Sequence, residues 1–478
     1  MNDGLPISAP PSANLYDLLC SGFPTDRDLP ALLLQDGDEI SYGAMEAGAG
    51  RFAALLDARG VKPGDRVACQ APKTPEAVML YLATLKVGAV WLPLNTAYTE
   101  IEVRYFLDNA EPALFVTDPV ALAREAAAFE PRTAATPRDA DDLAAVIYTS
   151  GTTGRSKGAM LTHANLASNT LALHRIWGFE PRDVLLHALP IFHVHGLFVA
   201  LHTSLFNGSP ILWLEKFDED AVLQALPRAT VMMGVPTFYT RLLAHPDFGR
   251  ANAEHVRLFI SGSAPLLEST FHAFEVRTGH AILERYGMSE AGMITSNPLD
   301  GQRIPGSVGY PLPDVELRIA GGETGVIEIK GPNVFKGYWR NPGKTREDFT
   351  EDRFFMTGDI GRQDPDGRVW ISGRAKDLII TGGYNVYPKE VELVLDDLDG
   401  VIESAVVGAP HPDLGEAVVA VIRGEGDEDA IIGAARQKLA GFKTPKRVMF
   451  VDDLPRNAMG KVQKAALREG LKGMFAAT

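Results

Sequence analysis

An α/β protein is predicted, with a large N-terminal body of layered sheets and helices, a β-rich subdomain and a small α+β C-terminal domain. Three features of the chain predict it. From about Ala31 to Asp300, short apolar runs alternate with longer mixed segments, the pattern of strand and helix units stacked in layers. After Gly301 the apolar runs shorten and Gly and Pro punctuate them, as in 306–313 and 326–331. Near Gly373 to Asp377 the pattern changes again, into a compact piece of roughly 100 residues, an ordinary domain size. The chain therefore divides into 1–375 and 376–478.

Within the first part, strands are expected at 66–71, 113–117, 144–149, 183–189, 230–235, 256–261 and 281–284. Helical spacing is clearest at 164–176 and 266–277, each after a turn-forming stretch, so the intervening loops fall at strand ends. In the second part Ile379, Val386 and the runs 404–408 and 417–422 supply the strands. The acidic stretch 424–429 is expected to be a surface loop.

A length of 478 residues exceeds one small core, and 46% hydrophobic with 22% charged residues is the balance of a packed globular chain. The formal charge of −15 repels nucleic acid and anionic lipid over the molecule as a whole. Cys20 and Cys69 are too few for a disulfide framework and lack metal-ligand spacing, so a reducing, cytoplasmic setting is expected. Residues 1–28 have neither a basic start nor a sustained apolar stretch, so no signal peptide is expected. The most apolar runs, 89–94 and 197–201, fall far short of the ~20 residues that cross a bilayer, and no membrane partner is expected.

The most informative segment follows the apolar run 145–148: Thr149, Ser150, Gly151, Thr152, Thr153, Gly154, Arg155, Ser156, Lys157, Gly158. Glycines allow close backbone approach, hydroxyls and amides donate to phosphate oxygens, and Lys157 adds positive charge. The lysine lacks the Gly-Lys-Ser/Thr setting of a P-loop, so that class of nucleotide site is excluded. A Gly/Ser turn without function would explain the loop if it stood alone.

It does not stand alone. Residues 148–158 resemble the phosphate loop of the adenylate-forming acyl-CoA synthetase family, and further motifs of that family follow in order. They are Arg285-Tyr286-Gly287-Met288-Ser289-Glu290, the segment 306–313, Gly337-Tyr338, Thr357-Gly358-Asp359, Gly373-Arg374-Ala375-Lys376-Asp377, Gly382-Gly383-Tyr384-Asn385-Val386, and 455–461 ending in Gly460-Lys461. The resemblance spans nearly the whole chain and is weakest before about Asp38. It implies a large body joined to a small mobile α+β lid, and ATP, Mg2+ and CoA as partners in the chemistry.

The resemblance also distributes roles. Ser150 to Lys157 would hold the β and γ phosphates, Ser289 would contact the α-phosphate, and Glu290 would position Mg2+ directly or through water. Asp359 would accept from the ribose hydroxyls with Arg374 nearby. Tyr286 would stack on adenine beside Gly287, with Gly262, Ser263 and Ala264 along the other face. Lys461 would stabilise the charge that develops during adenylation. Lys376 would be the pivot about which the lid turns to exchange Lys461 for the Gly382-Gly383 loop and open a tunnel for CoA. A charged Lys461 on such a lid also suggests a target for a lysine acetyltransferase and deacetylase. Lys443 and Lys446 are basic candidates for the CoA nucleotide, although exposed lysines are commonly just solvated.

The acid is read from Arg285, where relatives that take bulky acids carry a small residue. A guanidinium beside the acyl pocket suits a second carboxylate, which it can pair in bidentate fashion. In the segment 192–197, His193 matches a position often occupied by histidine in the family, and His195 is expected to face the pocket. With Ser261 and the segments 234–239 and 284–287, these residues resemble the malonyl-CoA synthetase branch, so malonate, with methylmalonate tolerated, is the expected substrate. Synthetases for other small acids leave Arg285 unexplained, and amino-acid adenylation domains usually carry an aspartate where His193 stands. A non-catalytic scaffold has no need to keep Lys157, Glu290, Asp359, Arg374 and Lys461 together.

Overall fold

The computed structural model describes residues 12–149, 156–457 and 460–475. Its first sheet, among the described residues, has six strands with Arg66–Cys69, Val90–Pro93, Leu114–Val116 and Leu143–Thr149 running parallel. Leu143–Thr149 then returns antiparallel through Lys157–Thr162, with Thr149 opposite Lys157. The expected phosphate loop is therefore the connection of a hairpin, a feature the sequence had not suggested. Thr162 caps the following helix, His163–Ile176, in a capping box with Asn165, which sets the direction in which the chain leaves the sheet.

The second sheet carries Leu185–His187, Val231–Gly234, Leu258–Ser261 and Leu283–Met288 in parallel. Their apolar residues are buried on both faces, as parallel strands covered by helices require. Past Met288 the sheet continues antiparallel through Gly292–Ser296, Ser307–Pro311, Val369–Arg374, Phe355–Gln363, Thr324–Lys330 and Glu316–Ala320, and this extension is the β-rich subdomain. The parallel strands end together at Gly234, Ser261 and 285–288. A crevice at the carboxyl ends of such strands is where open α/β sheets bind ligands.

The C-terminal piece has its own sheet and core. In Val401–His411, Val406 packs with Ile379, Val391 and Leu395 on one face, while Ala405, Val407 and Ala409 pack with Leu454 and Leu471 on the other. That two-sided burial accounts for the unbroken apolar run, which lacks the alternation of a half-exposed strand. One local expectation fails: 424–429 is not wholly a loop, because Asp427 accepts from the backbone N–H of Ala430 and caps the helix Glu428–Lys438. No helix among the described residues is long and apolar enough to cross a membrane. Both cysteines are free, Cys69 buried and Cys20 partly covered, and burial pushes each thiol up to about 12.

Candidate active site

Antiparallel register brings the first pair of expected residues together. Asp359 on Phe355–Gln363 lies opposite Arg374 on Val369–Arg374, and the Arg374 Nε lies 2.7 Å from Asp359 Oδ1. The hydroxyl of Tyr286 donates to Asp359 Oδ2 at 2.5 Å, and Thr357 Oγ1 accepts from the Asp359 backbone N–H at 3.1 Å. Burial and the Asp359 carboxylate hold the Tyr286 phenol well above its ordinary range, so it remains a donor. A buried, fixed carboxylate beside an aromatic ring is an acceptor suited to a ribose next to a base. Gly287 adjoins Tyr286, and a Cβ there would fall 2.2 Å from the carbonyl oxygen of Gly292, which restricts the position to glycine.

A second cluster forms around Glu290. Thr149 Oγ1 lies 3.5 Å and the Tyr338 hydroxyl 3.4 Å from Glu290 Oε1, and Lys157 Nζ sits 4.9 Å from the Tyr338 ring centre. Burial raises the Glu290 carboxyl above its ordinary range, and Arg374, Tyr338 and Lys157 oppose that rise. No group of three or more His, Cys, Asp or Glu side chains able to hold a metal occurs among the described residues. One carboxylate beside hydroxyls and a lysine fits a hard cation that completes its shell with water and phosphate oxygens, as Mg2+ does. Ser289 is half-buried beside Glu290. Ser150, Gly151, Thr152, Thr153 and Gly154 lie outside the described residues.

The third cluster is the expected acid pocket. Arg285 is 3% exposed, and its Nε and Nη2 have no partner among the described residues. Burial pulls its pKa down, yet a guanidinium stays protonated in proteins, so this is a buried cation prepared for an anion. Gly262 makes the room: a Cβ on it would lie 2.5 Å from Arg285 Cζ. Near Arg285 is His195 Nε2, buried and unpartnered among the described residues, while His195 Nδ1 lies 3.2 Å from Ser263 Oγ. Ser261, expected in this pocket, instead pairs in register with Glu284, which turns its side chain to the face away from Arg285. Ser263 adopts a positive φ of 72° and Ala264 follows it. Buried polar atoms are normally hydrogen-bonded, so the unpartnered Arg285 and His195 side chains at one place point to a polar ligand. His193 Nδ1 accepts from the His195 backbone N–H at 3.2 Å, and burial, Arg285 and Lys461 push the His193 imidazole down to about 4, which keeps it neutral.

On the other face of the same strand, Glu284 is buried, with Oε1 accepting from the Leu266 backbone N–H at 3.2 Å and Oε2 unpartnered. Burial pushes its carboxyl up to about 7, opposed by Leu266 and by Lys389 of the C-terminal helix Pro388–Asp396. A folded pKa above the ordinary 4.5 means that the native state holds the extra proton between these values, so stability is lost as pH rises from 4.5 to about 7. The loss reaches about 3 kcal/mol at order-of-magnitude level. Glu284→Gln should raise the melting temperature at pH 8 and leave it nearly unchanged at pH 5. Parallel wild-type and variant melting curves against pH would contradict this.

Lys461 arrives from the C-terminal piece. The Asn457 side-chain oxygen accepts from the Lys461 backbone N–H at 3.0 Å, and Gly460, with φ 72°, packs so closely on the body that a Cβ would lie 3.1 Å from Thr237 Oγ1. The Lys461 side chain keeps solvent contact at the crevice mouth, and burial of its ammonium with Arg374 beside it lowers its pKa. Not everything converges. Lys376 is exposed, next to the Asp377–Arg468 ion pair of 2.9 Å, and Gly382 and Gly383 form an exposed turn with positive φ. Lys443 is tied to Glu390. Sequence reasoning missed the approach of Tyr338 to Glu290 and the hydroxyl of Tyr105, which donates to the Ser156 carbonyl at 2.8 Å and braces the phosphate hairpin. Tyr338 lay within a recognised motif, whereas nothing near Tyr105 signalled a role.

A family model described as "AMP-binding enzyme" matches residues 23–339, and one described as "AMP-binding enzyme C-terminal domain" matches 390–461. A "Malonate--CoA ligase" of Arabidopsis thaliana is 34% identical over 91% of this chain and 85% of its own length. A "Sulfoacetate--CoA ligase" of Cupriavidus necator is 36% identical over 92% and 94%. Among solved structures, ATP-bound MatB from Rhodopseudomonas palustris superposes with a TM-score of 0.94 at 51% identity, covering 97% of this chain and 100% of that one.

Proposed function

The chain belongs to the AMP-binding enzyme family, and on that footing we propose that it joins malonate to CoA through a malonyl-adenylate. As an AMP-forming acyl-CoA ligase it takes ATP, an acid and CoA as small-molecule substrates. The observation that carries malonate is the buried Arg285 guanidinium, with two nitrogens unpartnered among the described residues and the unpartnered His195 near it. A second carboxylate satisfies all of these groups, whereas a monocarboxylic or aryl acid leaves a buried cation unpaired, at a cost of several kcal/mol.

In this reading malonate lies with one carboxylate on Arg285 and His195 and the other turned towards Ser289 and Lys461, with the neutral His193 between them as a hydrogen-bonding wall. Asp359, Arg374, Tyr286 and the segment 262–264 hold the nucleoside, and Thr149 to Lys157 hold the outer phosphates. A carboxylate oxygen attacks the α-phosphorus and the bond to diphosphate breaks. Lys461 meets the negative charge that gathers on the α-phosphate oxygens. Glu290 would hold Mg2+, which neutralises phosphate charge when bound.

The piece 376–478 then turns about Lys376, carries Lys461 out and brings the Gly382-Gly383 turn to line a path for the CoA thiol, which displaces AMP. Acetylation of Lys461, reversed by a deacetylase, would cancel its charge and stop the first step.

Diphosphate exchange into ATP tests the reading over a panel of malonate, methylmalonate, sulfoacetate, acetate, benzoate and amino acids. Malonate-dependent exchange well above that with acetate is expected. Exchange driven best by benzoate or an amino acid, or by no acid, would overturn it.

A further inference from the structure

Behind the acid pocket lies a buried charge that adenylation does not use. Lys73 is buried, and its ammonium hydrogens have three fixed acceptors: the His187 carbonyl at 2.7 Å, the Leu214 carbonyl at 2.5 Å and His187 Nδ1 at 2.8 Å. The ring of Trp213 covers it, with its centre 4.1 Å from Nζ. His187 ends the strand Leu185–His187, and its Nε2 lies 2.9 Å from the carbonyl oxygen of Gly196. A carbonyl only accepts, so Nε2 must carry the proton. In a neutral ring Nδ1 is then the acceptor, which is what Lys73 needs. The two contacts thus select one tautomer, and loss of one proton from the pair would leave either the Gly196 carbonyl or one of the three acceptors around Lys73 without a hydrogen.

Gly196 directly follows His195 and is the second residue of the π-helical segment His195–Leu201, a rare conformation that recurs at functional sites. The packing there has no slack, since a Cβ on Gly196 would fall 2.1 Å from the Pro190 carbonyl oxygen. Movement of its carbonyl therefore moves the backbone that carries His193 and His195. The pair lies behind the pocket wall, since His187 and His195 are near enough to influence each other's titration. Burial disfavours the charged form of Lys73, with Glu215 opposing, while its three acceptors favour that form.

We propose that Lys73 and His187 are a buried positioning pair for acid selection: Lys73 fixes the His187 ring, His187 fixes the Gly196 carbonyl, and together they set the 192–197 turn that carries His193 and His195. The proposal rests on the dicarboxylate reading above. Neither residue touches substrate.

Lys73→Met should raise KM for malonate ~10- to 100-fold, the range expected for losing hydrogen bonds to a charged group. KM for ATP, and the weak exchange supported by acetate, should stay within about threefold. A second pair of variants decides the matter even if Lys73→Met does not fold. A glutamine amide reaches the place of Nε2 and can still donate to the Gly196 carbonyl, whereas an asparagine amide stops near Nδ1. His187→Gln should therefore keep KM for malonate within about fivefold, and His187→Asn should lose as much as Lys73→Met. Imidazole 15N shifts of the wild type should show His187 protonated at Nε2 alone. Failure of the wild type to exchange with any dicarboxylate would sink the functional reading itself. Malonate-active wild type with unchanged malonate KM in Lys73→Met, with equal losses for malonate and ATP, or with His187→Asn equal to or better than His187→Gln, would sink only the positioning pair.

Discussion

Lys461→Ala is expected to slow acyl-adenylate formation ~100- to 1000-fold, the usual loss when one preorganised donor is taken from a developing oxyanion. Thioester formation from presynthesised malonyl-adenylate and CoA should persist within about threefold, because the lysine is expected to have left by then. The position of this ammonium supports the asymmetry. It approaches Arg374, Asp359 and His193 where Gly460 packs on Thr237, a contact between the two pieces of the chain. Turning about Lys376 would break that contact. Rapid-quench measurement of each half-reaction is the check, and equal losses in both would show that Lys461 serves the fold or both steps alike.

Arg285→Ala is expected to reduce kcat/KM for malonate ~30- to 150-fold, equivalent to about 2 to 3 kcal/mol of lost transition-state stabilisation. The variant should discriminate less between malonate and acetate, since only the dianion loses a partner. Arg285→Lys should recover little, because a point charge on a flexible stem cannot use the planar space that Gly262 leaves for the guanidinium. Steady-state kinetics with both acids decide it: unchanged malonate kinetics in the alanine variant would remove Arg285 from the site.

Much of this site could be read from the chain because its chemistry demands local residue types. Close approach to phosphate requires glycines and hydroxyls in succession, and ribose binding requires an acceptor fixed on a strand, so Thr149 to Lys157 and Thr357 to Asp359 stand out one motif at a time. The layered architecture followed from the alternation of apolar runs, and the β-rich subdomain from its Gly and Pro punctuation. What could not be read depends on contacts between distant segments. The Asp359–Arg374 pair arises from antiparallel register, the Tyr338–Glu290 approach joins two sheets, and the Gly262–Arg285 fit joins neighbouring strands. Lys73 and Glu284 are charged residues inside the fold, where sequence pattern alone suggests exposure. The helix after Asp427 was hidden for another reason: its first turn is acidic, which looks like solvated loop but also suits a helix N-terminus.

The state of the two cysteines bears on life beside a reactive co-substrate. With burial pushing both thiols up to about 12, neither carries an appreciable thiolate population at neutral pH. Thiolate is the form that attacks a disulfide, so Cys20 and Cys69 scarcely exchange with oxidised CoA or capture an alkylating agent. A catalyst that must hand an acyl group to a free sulfhydryl thus keeps its own sulfur out of that traffic, and oxidised cofactor does not modify the enzyme itself.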